Sequence, residues 1–314
     1  MSSTSKTFTL GREGNQDGSF QRQDSRFRGW VQDAPGAEFP LQAGRYHLYV
    51  ARACPWAHRT LIGRDLMGLQ DAIGVSFVSP LRDERGWAFD DEHRDELDDF
   101  RFLSEAYTAT DPDYEDRVSV PVLWDREAGV IVNNESADIL RMLETAFVPL
   151  AAHPVELYPA ALGGDIDALG EEIYETVNNA VYKTGFASRQ DVYDHEVDGL
   201  FQALDRLDLR LADRRFLFGS APVETDWRLF TTLVRFDAVY QIHFKCSIRK
   251  LVEYENLWPY ARDLYQWPGV AETVDFDEIR AHYYGTHPMI NPTGIVAARP
   301  AANFAAPAGR AHLG

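Results

Sequence analysis

The apolar run Leu48-Tyr49-Val50-Ala51 and the Cys54-Pro55 pair just beyond it constrain this chain more than any other stretch. The run has the character of the end of a buried strand. Proline fits the first position of a helix, where its missing N–H costs nothing. Cys54 then becomes the helix N-cap, with its sulfur facing backbone N–H groups that have no partner inside the helix. Those donors and the positive end of the helix dipole favour a thiolate over a thiol. Arg52 and Arg59 flank the pair and add positive field. A lone cysteine is more often a small buried hydrophobe than a nucleophile. The proline between strand and helix shifts the reading toward an activated sulfur at the mouth of a strand–helix turn.

The second cysteine, Cys246, lies far away in Phe244-Lys245-Cys246-Ser247-Ile248. Two cysteines in 314 residues do not make a disulfide scaffold, and they fit a reducing compartment. Ala57 occupies the position that would complete a Cys-x-x-Cys pair. A mixed disulfide on Cys54 therefore needs outside help, and a small soluble thiol is the simplest agent. A Cys54–Cys246 bridge stays open, but Cys246 reads more simply as a core residue of a helix. His58 stands one helical turn after Cys54, which admits a catalytic pair or two metal ligands. No further Cys or His completes a ligand set, so no metal is expected. In the duller reading His58 packs against the first helical turn.

The length suffices for two domains with ample cores, and 45% apolar residues with 7 Trp, 14 Tyr and 18 Phe mark a globular chain. A net charge of -18 argues against non-specific nucleic-acid binding, which needs basic surface. The acidic run from Asp90-Asp91-Glu92 to Asp98-Asp99 reads as a solvated helix face. No apolar stretch is long enough to span a membrane. The polar start, Met1 to Lys6, has no apolar signal core. A cytoplasmic protein that binds neither nucleic acid nor membrane is the expectation.

Along the chain, residues 1–44 read as an extended arm draped over a core. Residues 45–51 form a strand and 55–69 a helix, with Ala57, Leu61, Ile62 and Leu66 on one buried face and Gly68 ending it. Ile73 to Val78 returns as a parallel strand. Residues 80–117 look like an inserted loop with a short helix. Ser119 to Asp125 and Val130 to Val132 form a hairpin, and Asn134-Glu135-Ser136 opens a helix to about Thr145. The order β-α-β, then β-β-α, with Cys-Pro at the first helix, is that of a thioredoxin-like domain. In that position Pro121 is a candidate cis-proline, and Val120 before it can offer backbone N–H and C=O groups to an extended ligand. Residues 146–164 read as a linker. From Asp165 the pattern is helical, with Thr225 or Asp226 capping a buried helix through Val239. The Ala/Pro/Gly-rich end, Ala297 to Gly314, is expected to be mobile. The layout is an arm (1–44), a thiol-binding domain (45–148), an all-helical substrate domain (165–280) and a tail (281–314). The fold class is an α/β thioredoxin-like domain plus an all-α domain.

A thioredoxin-like domain followed by a helical one resembles the soluble glutathione transferases. Several runs narrow the likeness to the xi class, the glutathionyl-hydroquinone reductases. They are Arg45-Tyr46-His47-Leu48-Tyr49-Val50, Ala53-Cys54-Pro55-Trp56-Ala57-His58-Arg59-Thr60, Gly86-Trp87, Val120-Pro121-Val122-Leu123-Trp124-Asp125, Asn133-Asn134-Glu135-Ser136, Asn178-Asn179-Ala180-Val181-Tyr182-Lys183, His282-Tyr283-Tyr284 and Ile290-Asn291-Pro292-Thr293-Gly294-Ile295-Val296. The resemblance implies that Cys54 attacks the sulfur of a glutathionyl-hydroquinone thioether and is left as a mixed disulfide. A second glutathione, or another low-molecular-weight thiol, then releases it. It implies that Trp87, Val120, Glu135 and Ser136 hold the thiol, with help from Arg117. Tyr182, Tyr283 and Tyr284 would line the aromatic pocket, with hydroxyls able to supply a proton to the departing ring. It also implies a homodimer. Each residue has a plainer reading: Trp87 as a loop anchor, Glu135-Ser136 as a helix cap, the tyrosines as core. The chain departs from the family at Thr184, where Cys is common, and at Ala297-Ala298-Arg299-Pro300, where a Pro-rich ending is usual.

Two other functions compete. A general monothiol reductase, similar to omega-class transferases or glutaredoxins, would use the same Cys54 on mixed disulfides. A non-enzymatic binding module would keep the fold without the chemistry, against which the intact Cys54-Pro55 and Glu135-Ser136 weigh.

Overall fold

The strand that leads into Cys54 is buried at every residue, and the first half of the chain is built around it. In the computed structural model, which describes residues 15, 17–97 and 99–313, strands β1 (Val31–Gln32) and β2 (Phe39–Pro40) form a small parallel pair. Strand β3 (Tyr46–Val50) then runs into helix α1 (Pro55–Leu66). Strand β4 (Ile73–Phe77) returns parallel to β3, from Tyr46 beside Ile73 to Val50 beside Phe77. A short hairpin, β5 (Arg82–Asp83) with β6 (Gly86–Trp87), and helix α2 (Ser104–Thr110) interrupt the order. Strands β7 (Val122–Asp125) and β8 (Val130–Asn133) complete a sheet of order β4-β3-β7-β8, with β7 antiparallel to both neighbours. Helix α3 (Ser136–Leu143) packs on α1. The described residues divide into two compact units, 23–155 and 156–313, the second taking in the described part of Glu13–Arg22.

Helix α1 is buried nearly all round, from Pro55 to Arg64 with only Trp56 excepted, rather than along a single face. Both β3 and α3 pack against it. Its end is set by Gly68, at φ +65, whose N–H bonds Asp65 O while Leu69 N–H bonds Arg64 O. This paired closure needs a left-handed residue, which glycine adopts without a Cβ clash. Residues 27–29 run along the free edge of β8: Gly29 N–H donates to Val132 O at 2.8 Å and Asn134 N–H to Phe27 O at 3.0 Å. This covers the backbone groups an edge strand would otherwise expose. Residues 1–14 and 16 of the expected arm, and Asp98 of the acidic run, lie outside the described residues.

The acidic run is not a helix face. Its described residues form bends, with Asp90 accepting from the N–H groups of Glu92 and His93 and Asp95 from those of Leu97 and Phe100. Short carboxylate side chains that bond nearby backbone compete with helix formation. The helix of this segment falls later, at α2.

The second unit is helical: α4 (Gly163–Ile173), α5 (Ala180–Phe186), α6 (Gln190–Arg210), α7 (Glu224–Arg235), α8 (Leu257–Tyr265) and α9 (Phe276–Thr286). A π-helical turn, Tyr174–Asn178, precedes α5, and a second, Phe236–Tyr240, extends α7. The N-cap of α7 is Val223, not Thr225 or Asp226. Asp226 acts from inside the first turn: its carboxylate accepts from the N–H groups of Val223 (2.9 Å) and Leu217 (3.0 Å) and from the Tyr260 hydroxyl (2.8 Å). Burial holds this carboxyl up at about 6.

The C-terminal segment is anchored, contrary to the mobility its composition suggests. Arg280 donates to Ala297 O, Phe304 is buried against Trp258, Tyr265 and Phe276, and Gln266 donates to the carbonyls of Phe304 and Ala306. Arg310, 4% exposed, donates to the carbonyls of Leu211 and Arg214 just past α6 and reaches those of Arg215 and Asn256. Carbonyls at a helix end lack intrahelical donors, so a buried guanidinium is well matched to them.

Candidate active site

Pro55 opens α1 at its first position and Cys54 is its N-cap, with φ -82 and ψ 119. The Cys54 carbonyl takes the first helical hydrogen bond from His58 N–H, and its own N–H bonds Ala51 O, so the backbone around the sulfur is fixed on both sides. The Sγ lies 3.6 Å from the carbonyl oxygen of Val120 and donates to it. The Val120–Pro121 peptide is cis. Cys54 is partly exposed, whereas Cys246 is fully buried with its thiol pushed far up by desolvation; neither is in a disulfide. Arg59 is buried with its guanidinium over the Trp56 ring, and Arg52 lies over Phe77 at 3.9 Å. His58 is buried within the helix's first turns.

The other residues of the expected thiol site sit on neighbouring elements of the same unit. Trp87 ends β6, buried, with Arg82 over its ring and its carbonyl bonded by Leu103 N–H. Glu135 is the N-cap of α3. One oxygen accepts from Ala137 N–H at 3.2 Å and the other from the Ser25 hydroxyl at 2.9 Å. Ser136, the first helical residue, is buried beside it. The cap and a ligand contact are compatible, because an ionised carboxylate has about four acceptor sites. Arg117 has its carbonyl held by the Tyr114 hydroxyl and its N–H directed at Gln23.

Sequence reasoning missed the residue that joins these pieces. Tyr107 on α2 is fully buried; its hydroxyl donates to Ser119 O at 2.8 Å and accepts from Asn134 Nδ2 at 3.2 Å. One phenol therefore holds both the chain entering Val120 and the chain entering Glu135. The inserted segment carries no periodic signal that would have marked it.

In the second unit the predicted tyrosines separate into two settings. Tyr182 on α5 and Tyr283 on α9 share a hydrogen bond at 2.5 Å, and Tyr283 also meets the Tyr240 hydroxyl at 2.9 Å. Burial holds the Tyr240 and Tyr283 phenols well above their ordinary range, so both remain protonated hydroxyls. The N-terminal segment adds two groups to Tyr182: the Phe20 ring stacks on it at 6.4 Å, and the Arg22 guanidinium lies 4.8 Å from its centre. Tyr284 stands apart from this chain; its hydroxyl donates to Ala238 O and its ring packs on His243. Beside the tyrosines, His243 and His287 share a hydrogen bond at 3.0 Å, and burial lowers His243 to about 4. Among the described residues no group of three or more His, Cys, Asp or Glu is placed to hold a metal, and no helix is long and apolar enough to cross a membrane.

Two family models match: "Glutathione S-transferase, N-terminal domain" over residues 53–146 and "Glutathione S-transferase, C-terminal domain" over residues 190–263. The chain is 50% identical over 304 residues to the glutathionyl-hydroquinone reductase YqjG of Escherichia coli, covering 93% of this chain and 92% of that protein. It is 52% identical to a xi-class transferase structure from Natrialba magadii, with a TM-score of 0.89 over 91% of this chain and 89% of that one. A glutathione-bound structure of YqjG aligns with a TM-score of 0.88 at 50% identity, over 91% of this chain and 96% of that one. With both domain models in order and half the residues shared across nearly the whole length, the chain belongs to the xi class of the glutathione transferases.

Proposed function

We propose that this transferase is a glutathionyl-hydroquinone reductase. The observation that carries the reading is a single partly exposed thiol, Cys54, capping α1 in a chain whose other thiol is buried. Cys54 attacks, as a thiolate, the sulfur that joins glutathione to a hydroquinone ring. The carbon–sulfur bond breaks, its electron pair stays with the ring carbon, and that carbon takes one proton. Hydroquinone leaves and Cys54 carries a mixed disulfide. A second glutathione, deprotonated at sulfur, attacks that disulfide and releases glutathione disulfide and the Cys54 thiolate. Thioether and thiol thus become hydroquinone and disulfide, with the ring reduced and the two glutathione sulfurs oxidised.

The binding roles are those that the family resemblance implies, and the residue chemistry is compatible with them. Val120 offers its backbone to the peptide-like thiol. Glu135 meets the ligand's ammonium group, and Ser136 with the first N–H groups of α3 takes a carboxylate. Arg117 assists with a carboxylate and Trp87 walls the site. Tyr182 and Tyr283 supply and steady the ring proton, and Tyr284 backs the aromatic pocket. The protein acts in the cytoplasm as a homodimer, and a sedimentation mass near 35.6 kDa, that of one chain, would remove the dimer.

The test is direct. Given a glutathionyl-hydroquinone and glutathione, the wild type should release hydroquinone and glutathione disulfide in equal amounts. Cys54→Ser should lose this turnover by about 1000-fold or more while keeping its far-ultraviolet spectrum. Reduction of small mixed disulfides with no thioether cleavage would replace this function with that of a general monothiol reductase.

A further inference from the structure

Glu135 is an unusual N-cap. Short side chains hold this place in most helices, because their oxygen falls close to the first free N–H groups. Glutamate adds a methylene and rotamer freedom, so fixing its carboxylate costs more entropy. At α3 the two oxygens are fixed in different ways. Oε1 accepts from Ala137 N–H at 3.2 Å and from the Ser136 hydroxyl at 3.4 Å, both in the first turn of the helix. Among the described residues, Oε2 accepts from the Ser25 hydroxyl alone, at 2.9 Å. A carboxylate has about four acceptor positions, and those of Oε1 are taken. The open one lies on Oε2. Glu135 is not fully buried, so a ligand that reaches it meets the oxygen that Ser25 holds.

Ser25 lies outside any helix or strand, yet the chain is fastened on either side of it. Phe27 N–H donates to Asn134 Oδ1 at 3.0 Å, and Asn134 N–H donates back to Phe27 O at 3.0 Å. The Phe27 ring packs on Tyr107 and Tyr114. Arg26 pairs at 2.6 Å with Asp111, just past α2. On the other side, Gln23 Oε1 accepts from Arg117 N–H. The Ser25 hydroxyl has one proton and two acceptors in reach, Glu135 Oε2 and, at 3.2 Å, Asn134 O. The carboxylate oxygen is the nearer and carries charge, and hydrogen bonds to ionised groups are the stronger. The proton therefore goes to Glu135.

We propose that Ser25 is a positioning residue for the thiol substrate: it aims the Glu135 carboxylate at the ammonium group of a γ-glutamyl end, and so makes the site select thiols that carry that ammonium. The inference rests on the reductase function above and its binding role for Glu135, and deepens them. The serine hydroxyl and the ammonium are both donors, and each takes its own lone pair of Oε2. Without the hydroxyl, Oε2 loses its one protein donor, and ordering the carboxylate becomes a cost of binding the ligand.

Two substrates test this: a glutathionyl-hydroquinone, and the same adduct made with glutaryl-cysteinylglycine, which is glutathione without its amino group. At fixed glutathione, the wild type should show a KM about tenfold higher for the deaminated adduct. Ser25→Ala should raise KM for the glutathionyl adduct about tenfold, with kcat unchanged, and leave KM for the deaminated adduct where it was. Ser25→Thr keeps a hydroxyl and should restore the discrimination. A substitution that merely loosened the fold would raise both values. An unchanged KM for the glutathionyl adduct in Ser25→Ala, or an equal rise for both adducts, would overturn the role of Ser25 while leaving Glu135 and the reductase function standing. Equal KM for the two adducts in the wild type would remove the ammonium contact of Glu135, and this role with it, but not the thioether chemistry. A wild type that cleaves neither adduct would remove the reductase function as well.

Discussion

Tyr107 places one oxygen between two backbone segments, Ser119 and Asn134, that lead to Val120 and Glu135. Removing it by Tyr107→Phe leaves buried partners unpaired, which should cost about 1–3 kcal/mol of unfolding free energy. If these segments hold the thiol, its KM for glutathione should rise together with that loss; a destabilised variant with an unchanged glutathione KM would separate Tyr107 from the site. The N-cap position of Cys54 was readable from sequence because N-cap placement is local: proline at the first helical position and an extended residue before it suffice; the sulfur's contact with the Val120 carbonyl in place of helix N–H groups was not. Glu135 was readable for the same reason. Tyr107 was not, since its partners lie 12 and 27 positions away and only the folded sheet brings them near.

Among the elements, α7 depends most on one side chain. Asp226 satisfies two backbone N–H groups and the Tyr260 hydroxyl. Asp226→Ala should cost about 2–4 kcal/mol, measured by urea unfolding. Its titration has a definite sign. The native carboxyl holds its proton up to about 6, against 3.8 for the ordinary group. Its contribution is therefore greatest in acid and is lost as pH rises through that window. His47 on β3 and His243 after α7 act the other way. Burial lowers both from 6.5 to about 4, so their contribution is complete above 6.5 and fades as pH falls toward 4. Acidification from pH 6.5 to pH 4 therefore removes the contribution of the two histidines. His47→Gln should be less stable at neutral pH but show a shallower decline over that range in denaturant midpoints. The sheet and the long helices could be anticipated from periodicity, which reports burial. The acidic run deceived because aspartates bonding their own backbone imitate the charge pattern of a solvated helix face while preventing the helix.

Over the whole molecule, the ends of the chain matter more than their composition suggests. Proline and glycine interrupt any helical or strand period there, yet Phe304 and Arg310 fasten the C-terminal segment to α6, α8 and α9. Arg310→Ala should lower stability by about 2–3 kcal/mol, as expected for charged hydrogen bonds to buried carbonyls, and should raise protease cleavage after Ala297; an unaltered melting temperature would show the anchor to be idle. The opposite end is tied just as far from its own neighbourhood. Phe20 stacks on Phe186, Arg22 bonds Asn179, and Ser188 N–H reaches Gly18 O. A ribosome releases these early residues long before their partners are translated. Residues 18–22 must therefore wait until α5 emerges to meet these partners, and a fragment begun at Glu156 would leave the Tyr182 ring bare on the side that Phe20 and Arg22 now cover.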